Sequence, residues 1–119
     1  MLVNATNGQT IATKVTIADT FFKRLRGLLG RSGITPNEAL VISPCQQVHM
    51  FFMRFSIGVI FVNSLGEVLH QEHLMPWQIS KWVPSAKQVI EVSPTTLKRV
   101  SKGDFLFLET NSDSEVKIN

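Results

Sequence analysis

The sequence predicts a mainly β protein of the α+β class. The expected form is a compact curved antiparallel sheet, or a small β-barrel-like domain, with one amphipathic helix and a second short helix. Three observations predict it. Short runs that alternate in polarity, or are apolar throughout, recur along the chain. Turn residues separate them at Asn7-Gly8, Asn63-Ser64-Leu65-Gly66 and Gly103-Asp104. Only one long stretch, after Asp19-Thr20, carries a helical apolar period.

The elements follow in order. Leu2 to Thr6, the Asn7-Gly8 turn and the β-branched Thr10 to Ile17 read as a hairpin. Asp19 or Thr20 can cap a helix that Gly30 closes. At about 100° per residue, Phe21, Phe22, Leu25, Leu28 and Leu29 share one face, and Lys23, Arg24, Arg26 and Arg31 lie off it. Ala39 to Ile42 is a short strand ended by Pro44. Val48 to Met53 and Ile57 to Val62 carry bulky apolar residues on both parities, which in a strand means that both faces are covered. Glu67 to Leu74 is a more polar strand, and Met75 through Pro84 is irregular, with two tryptophans to anchor it. Gln88 to Val92 is a strand. Ser93 and Pro94 start a short helix reaching about Val100, and Phe105 to Leu108 is the last strand.

The chain has 119 residues, a length suited to one domain, expected over 1–109. Residues 110–119 begin with a polar run and are expected to fray. A domain of this size buries roughly 65% of its unfolded surface and needs no disulfide or metal to fold. With Cys45 alone, no intrachain disulfide can form. The first residues lack a basic segment leading into an apolar one, so a cytoplasmic location is expected. The longest apolar run, Val48 to Val62, is interrupted by Arg54 and is shorter than the ~20 residues of a membrane span. A net charge of +3 allows weak attraction to anionic partners and specifies none.

Certain residues carry a resemblance in their order and spacing. Ala18-Asp19-Thr20 precedes Arg26-Gly27-Leu28-Leu29, and the run from His49 to Asn63 follows, with Gly66 and Val68 after it. Pro76-Trp77, Val89-Ile90-Glu91-Val92 and Gly103-Asp104 complete the series. Over roughly Thr16 to Leu108 the chain resembles the uncharacterised family called domain of unknown function 192, in its short bacterial form. The resemblance implies a compact, sheet-rich, barrel-like domain of bacterial or archaeal origin, and no agreed activity. It also implies an association, without a mechanism, with cell-surface or pilus systems. Family members usually have proline, an aliphatic residue and aspartate where this chain has Ser56-Ile57-Gly58, so a carboxylate is missing here.

Arg54 lies between Met53 and Phe55 in an apolar run, and a buried guanidinium needs a carboxylate. Glu91 and Asp104, each beside a hydrophobic strand segment, are the expected companions, either in a structural ion pair or as the floor of a polar pocket; the alternative is an arginine at a strand end reaching solvent. Cys45 and His49 share a side if the segment is extended, which suggests a thiolate–imidazole pair. A small buried cysteine is the plainer reading. His70 and His73 fall on opposite faces of a strand, so no metal set and no cofactor is implied. Met50, Phe51, Phe52, Met53, Phe55 and Phe61 read as core. Trp77 and Trp82, with Met75 and Pro76, can rim a partner site.

The leading expectation is a non-catalytic binding or accessory module for an unknown protein or small ligand. Its surface would be the Met75–Trp82 loop beside Arg54, Glu91, Asp104 and His49. One alternative is a small hydrolase or transferase using His49 with Cys45 or nearby carboxylates. The other is a weak nucleic-acid binder using the basic helix face with Lys98, Arg99 and Lys102. The lack of tyrosine and of aromatics interleaved with the basic residues disfavours that last reading.

Overall fold

A computed structural model describes residues 1–18 and 31–109 of the chain. The helix expected between Asp19 and Gly30, with its basic face at Lys23, Arg24 and Arg26, lies outside the described residues, as does the tail 110–119. The described strands are β1 (Leu2–Asn4), β2 (Thr10–Ala12), β3 (Lys14–Ala18), β4 (Glu38–Ile42), β5 (Ile57–Val62), β6 (Val68–Leu74), β7 (Gln88–Val92) and β8 (Leu106–Leu108). A 3-10 helix, Pro94–Arg99, precedes β8; Ser93 stands before it and Pro94 occupies its first turn.

The strands form two sheets and no closed barrel. One has the order β2-β1-β8, the other β3-β4-β7-β5-β6. All pairings are antiparallel except β3 with β4, which are parallel. The run Thr10 to Ile17, expected as one strand, is divided at Thr13. There the amides of Thr13 and Lys14 both donate to the Asn37 carbonyl, at 3.1 and 3.0 Å, and the chain passes from one sheet to the other.

Two apolar clusters flank the five-stranded sheet. The first unites Leu2, Ile11, Ala12 and Leu106 of the smaller sheet with Val41, Ile60, Ile90 and Val92 of the larger. The second lies on the opposite face of the larger sheet, around Leu40, Ile42, Val59, Phe61 and Val89. All six residues of β5 are buried, as its bulky residues on both parities predict. No described helix is long and apolar enough to cross a membrane.

The smaller sheet is tied to its surroundings by one buried amide. Asn4 is fully buried, and its Nδ2 donates to the Arg99 carbonyl (3.0 Å) and to Asp104 Oδ2 (2.8 Å). Its Oδ1 accepts from the Thr6 amide at 3.0 Å, so every face of this polar group is used.

Candidate functional site

The site is built by the two segments that cross the second apolar cluster. β4 and β5 both run antiparallel to β7, so the chain must return along the sheet between Ile42 and Ile57. It does the same in the opposite sense between Leu74 of β6 and Gln88 of β7. The two returning segments hydrogen-bond to each other. The Met50 amide donates to Gln78 O (2.7 Å) and the Trp77 amide to Met50 O (2.8 Å). Farther along, the Ser80 amide donates to Val48 O and the Val83 amide to Gln46 O, both at 2.9 Å. Val48, Met50 and Ala86 turn inward and join the second cluster. The expected strand Val48 to Met53 is thus a crossing segment, with one isolated bridge, His49 to Ile79.

Each segment ends in a tight turn. Met53 donates its amide to Met50 O and Gln78 to Met75 O, both at 3.2 Å. Pro76 takes the second position of the latter turn, as its fixed φ favours. In both turns an aromatic holds the third position in the left-handed region, Phe52 at φ 67° and Trp77 at φ 71°. Glycine or asparagine fits there, and a bulky side chain is strained. The two rings meet, with centroids 4.9 Å apart. Trp77 also touches Phe51 (5.8 Å), which stacks on His49 at 4.7 Å.

These side chains face water. Relative exposures are 71% for Phe52, 58% for Trp77, 60% for Trp82, 56% for Ile79 and 50% for Met75. Phe52, expected in the core, is the most exposed of them. The strain has a measurable consequence. At positions 52 and 77 the glycine variant should be more stable to urea than the alanine variant, by about 1 kcal/mol, because only alanine retains the Cβ that disfavours positive φ. The ordinary order, alanine above glycine, would contradict the turn geometry.

The expected polar cluster does not form. Arg54 is exposed, and no ion pair or hydrogen bond joins it to Glu91 or Asp104. Its segment is a turn over the sheet, so the guanidinium leaves the apolar run for solvent. Asp104 serves structure instead: its Oδ2 accepts from Asn4 Nδ2 and from the Ser101 amide (2.9 Å). Glu91 is buried, 6% exposed, on the face of the second cluster between Leu40 of β4 and Val59 of β5. Burial, with no partner charge among the described residues, raises its carboxyl to about 7. Beyond Val59, on the same face of β6, Glu72 Oε2 lies 2.9 Å from His70 Nε2 and accepts from the Lys81 amide at 2.9 Å.

The thiol and imidazole are also apart in role. Cys45 Sγ–H donates to Gln47 O (3.2 Å), whereas His49 is exposed and its Nδ1 accepts from the Phe51 amide (3.3 Å). Arg99, placed on a basic surface by the sequence, donates to Thr10 O and Ile11 O, and Arg31 pairs with Glu38 at 2.9 Å. Among the described residues no group of three His, Cys, Asp or Glu side chains is placed to hold a metal ion. The structure therefore brings His49 and Trp77 together through Phe51 on one surface, places Trp82 farther along its segment beside the Val83–Gln46 bond, and leaves Glu91 and Asp104 elsewhere. Sequence reasoning misses Phe52 and Ile79 as members of that surface. Pro76 is the signal for one turn; nothing local marks the other.

A family model described as "Uncharacterized ACR", DUF192, matches residues 2–106. The chain belongs to the DUF192 family. Its relatives include a UPF0127 protein of Thermococcus sibiricus, 44% identical over 99 residues, which cover 76% of this chain and 62% of that protein. This DUF192 chain thus spans less than two thirds of that relative's length. A UPF0127 protein of Thermococcus gammatolerans is 34% identical over 127 residues, covering 99% of this chain and 81% of the relative. Both relatives are archaeal, so the "bacterial" part of the expectation does not carry over to them. The crystal structure of a protein of unknown function from Novosphingobium aromaticivorans has a TM-score of 0.78 at 18% identity. It covers 90% of this chain and 82% of that one, which shows a shared fold. None of these names carries an activity or a cell-surface role.

The missing family aspartate also has a structural counterpart in this DUF192 protein. Gly58 faces the first cluster, and a Cβ there would lie 2.7 Å from Leu97 Cγ and 2.9 Å from its Cδ2. Leu97 of the 3-10 helix occupies the space a side chain would need, so apolar packing stands where the carboxylate is expected.

Proposed function

We propose that this DUF192 protein is a non-catalytic binding module, acting in the cytoplasm, whose recognition surface is the aromatic tip formed by the two crossing segments. One observation carries this reading: Phe52 and Trp77 occupy strained left-handed turn positions, touch each other, and are exposed to solvent. Burial of the rings does not compensate the strain in the isolated chain. Strained residues of this kind concentrate at ligand-contacting sites, where the surrounding structure holds them ready. Large exposed apolar surfaces likewise mark interaction sites on soluble proteins. The cross-bonding of the two segments supplies the rigidity, since it fixes the backbone beneath the rings before any partner arrives.

Oxidative footprinting tests the reading while the partner is still unidentified. In purified protein Met75, Trp77 and Trp82 should oxidise as readily as Met1 and Phe107, which are 47% and 45% exposed. In intact cells the first three should be protected several-fold relative to the last two. Equal labelling in both settings would overturn a recognition role for the tip.

A further inference from the structure

We infer that the aromatic tip docks on the surface of an anionic lipid bilayer, an assignment that rests on the binding role proposed above and names its partner. Three features of the tip favour this occupant. First, its composition matches the membrane interface. Trp77 and Phe52 are aromatics suited to the headgroup boundary, Trp82 adds a third exposed aromatic farther along the second segment, and Met75 and Ile79 add aliphatic surface. Exposures of half or more leave these side chains open to contact with a lipid layer.

Second, part of the backbone beneath them is already paired. The amides of Met50, Met53, Trp77, Gln78 and Ser80 donate to carbonyls within the same pair of segments. The Met75 amide donates to Gln78 Oε1 at 2.7 Å. Free amides and carbonyls are costly in a region poor in water, and these six amides keep their partners on entering it.

Third, the charged groups adjoining the tip are mainly cationic. Arg54 follows the first turn, and Lys81 lies between Ile79 and Trp82; both are exposed. One carboxylate, Glu72, is bonded into this region, where it accepts from the Lys81 amide and lies 2.9 Å from His70 Nε2. The whole chain carries +3. Anionic headgroups attract such a rim, and the attraction works together with the aromatic contact.

The test uses the full chain with vesicles of phosphatidylcholine, alone or mixed with phosphatidylglycerol. Flotation should recover the protein with the mixed vesicles, Trp emission should shift to the blue, and lipids brominated on the acyl chain should quench it. Trp77→Ala with Trp82→Ala should lower partitioning by tenfold or more. Arg54→Gln with Lys81→Gln should lower it several-fold on mixed vesicles and leave it unchanged on phosphatidylcholine alone. Urea unfolding of each variant separates loss of binding from loss of fold. Because Glu91 lies off the tip, Glu91→Gln serves as a folded control that partitions like the parent chain. Equal binding to both vesicle types, or binding that survives the double Trp substitution, would overturn the assignment. If the tip is protected in cells and vesicles do not bind, the lipid assignment falls and the binding role stands; if neither is seen, both fall.

Discussion

Replacing Glu91 with glutamine is expected to raise the unfolding free energy by about 3 kcal/mol near pH 8 and by almost nothing near pH 4. The cause is desolvation: the side chain is 6% exposed on the apolar face of the larger sheet, and its carboxyl is raised from 4.5 to about 7. Below the unfolded value the group is protonated in both states and folding bears no ionisation cost. As pH rises from 4.5 through 7 the unfolded chain releases its proton more readily than the folded one, so stability is progressively lost. Above 7 the deficit is complete. Leu40, Val59 and Val89 surround Glu91 on that face; among the described residues Glu72 and His70 stand on β6 beyond Val59, and Cys45 packs against the same cluster. Urea unfolding of both proteins at several pH values gives the comparison, and subtracting the two curves isolates what Glu91 contributes. Parallel curves across the range from about pH 5 to 8 would refute the uncompensated burial of Glu91.

A second large effect is expected at Gly66. Its φ is +83°, and a Cβ there would collide with the backbone carbonyl oxygen of Leu106. The same glycine accepts the Leu106 amide at 2.8 Å and donates to Asn63 O at 3.0 Å. Asn63 Oδ1 in turn accepts the amides of Leu65 and Glu67, both at 3.0 Å. The Val68 amide donates to Asp104 O and the Gly103 amide to Val68 O, each at 2.8 Å, so this turn fastens the β5–β6 hairpin to the approach of β8. A backbone oxygen cannot yield as a flexible side chain does. Gly66→Ala should therefore cost roughly 2–4 kcal/mol in urea unfolding, the sum of an unfavourable φ and a forced displacement. Gly8 provides the control. It has a similar φ of +77° with nothing within 4 Å of the missing Cβ, and Gly8→Ala should cost only about 1 kcal/mol. Equal losses at the two positions would show that the contact with Leu106 carries no weight.

Much of the sheet is legible in the residues. The alternation of β-branched and polar residues, and the double-sided apolar pattern of Ile57–Val62, report local backbone preference and two covered faces. Asn7-Gly8 and the 63–66 turn report where the chain must adopt positive φ, and Pro94 reports a helical first turn. The site is legible only in part. Trp77 and Trp82 do lie in an irregular segment, as expected, whereas Phe52 and Arg54 sit in an apolar run that reads as buried and are exposed. Glu91 is a carboxylate beside a hydrophobic strand, as the sequence shows, and its expected partner is in solvent.

By itself, the sequence determined most of the residues that extend into strands, several of the turns between them, and the family to which the protein belongs. Only the tertiary structure decided that the run from Val48 to Phe55 crosses a sheet instead of joining it. Local pattern records what a side chain prefers, but exposure depends on what packs against it. Here two segments about thirty residues apart in sequence bond to each other, turn Val48 and Met50 inward, and leave Phe52 and Trp77 facing water.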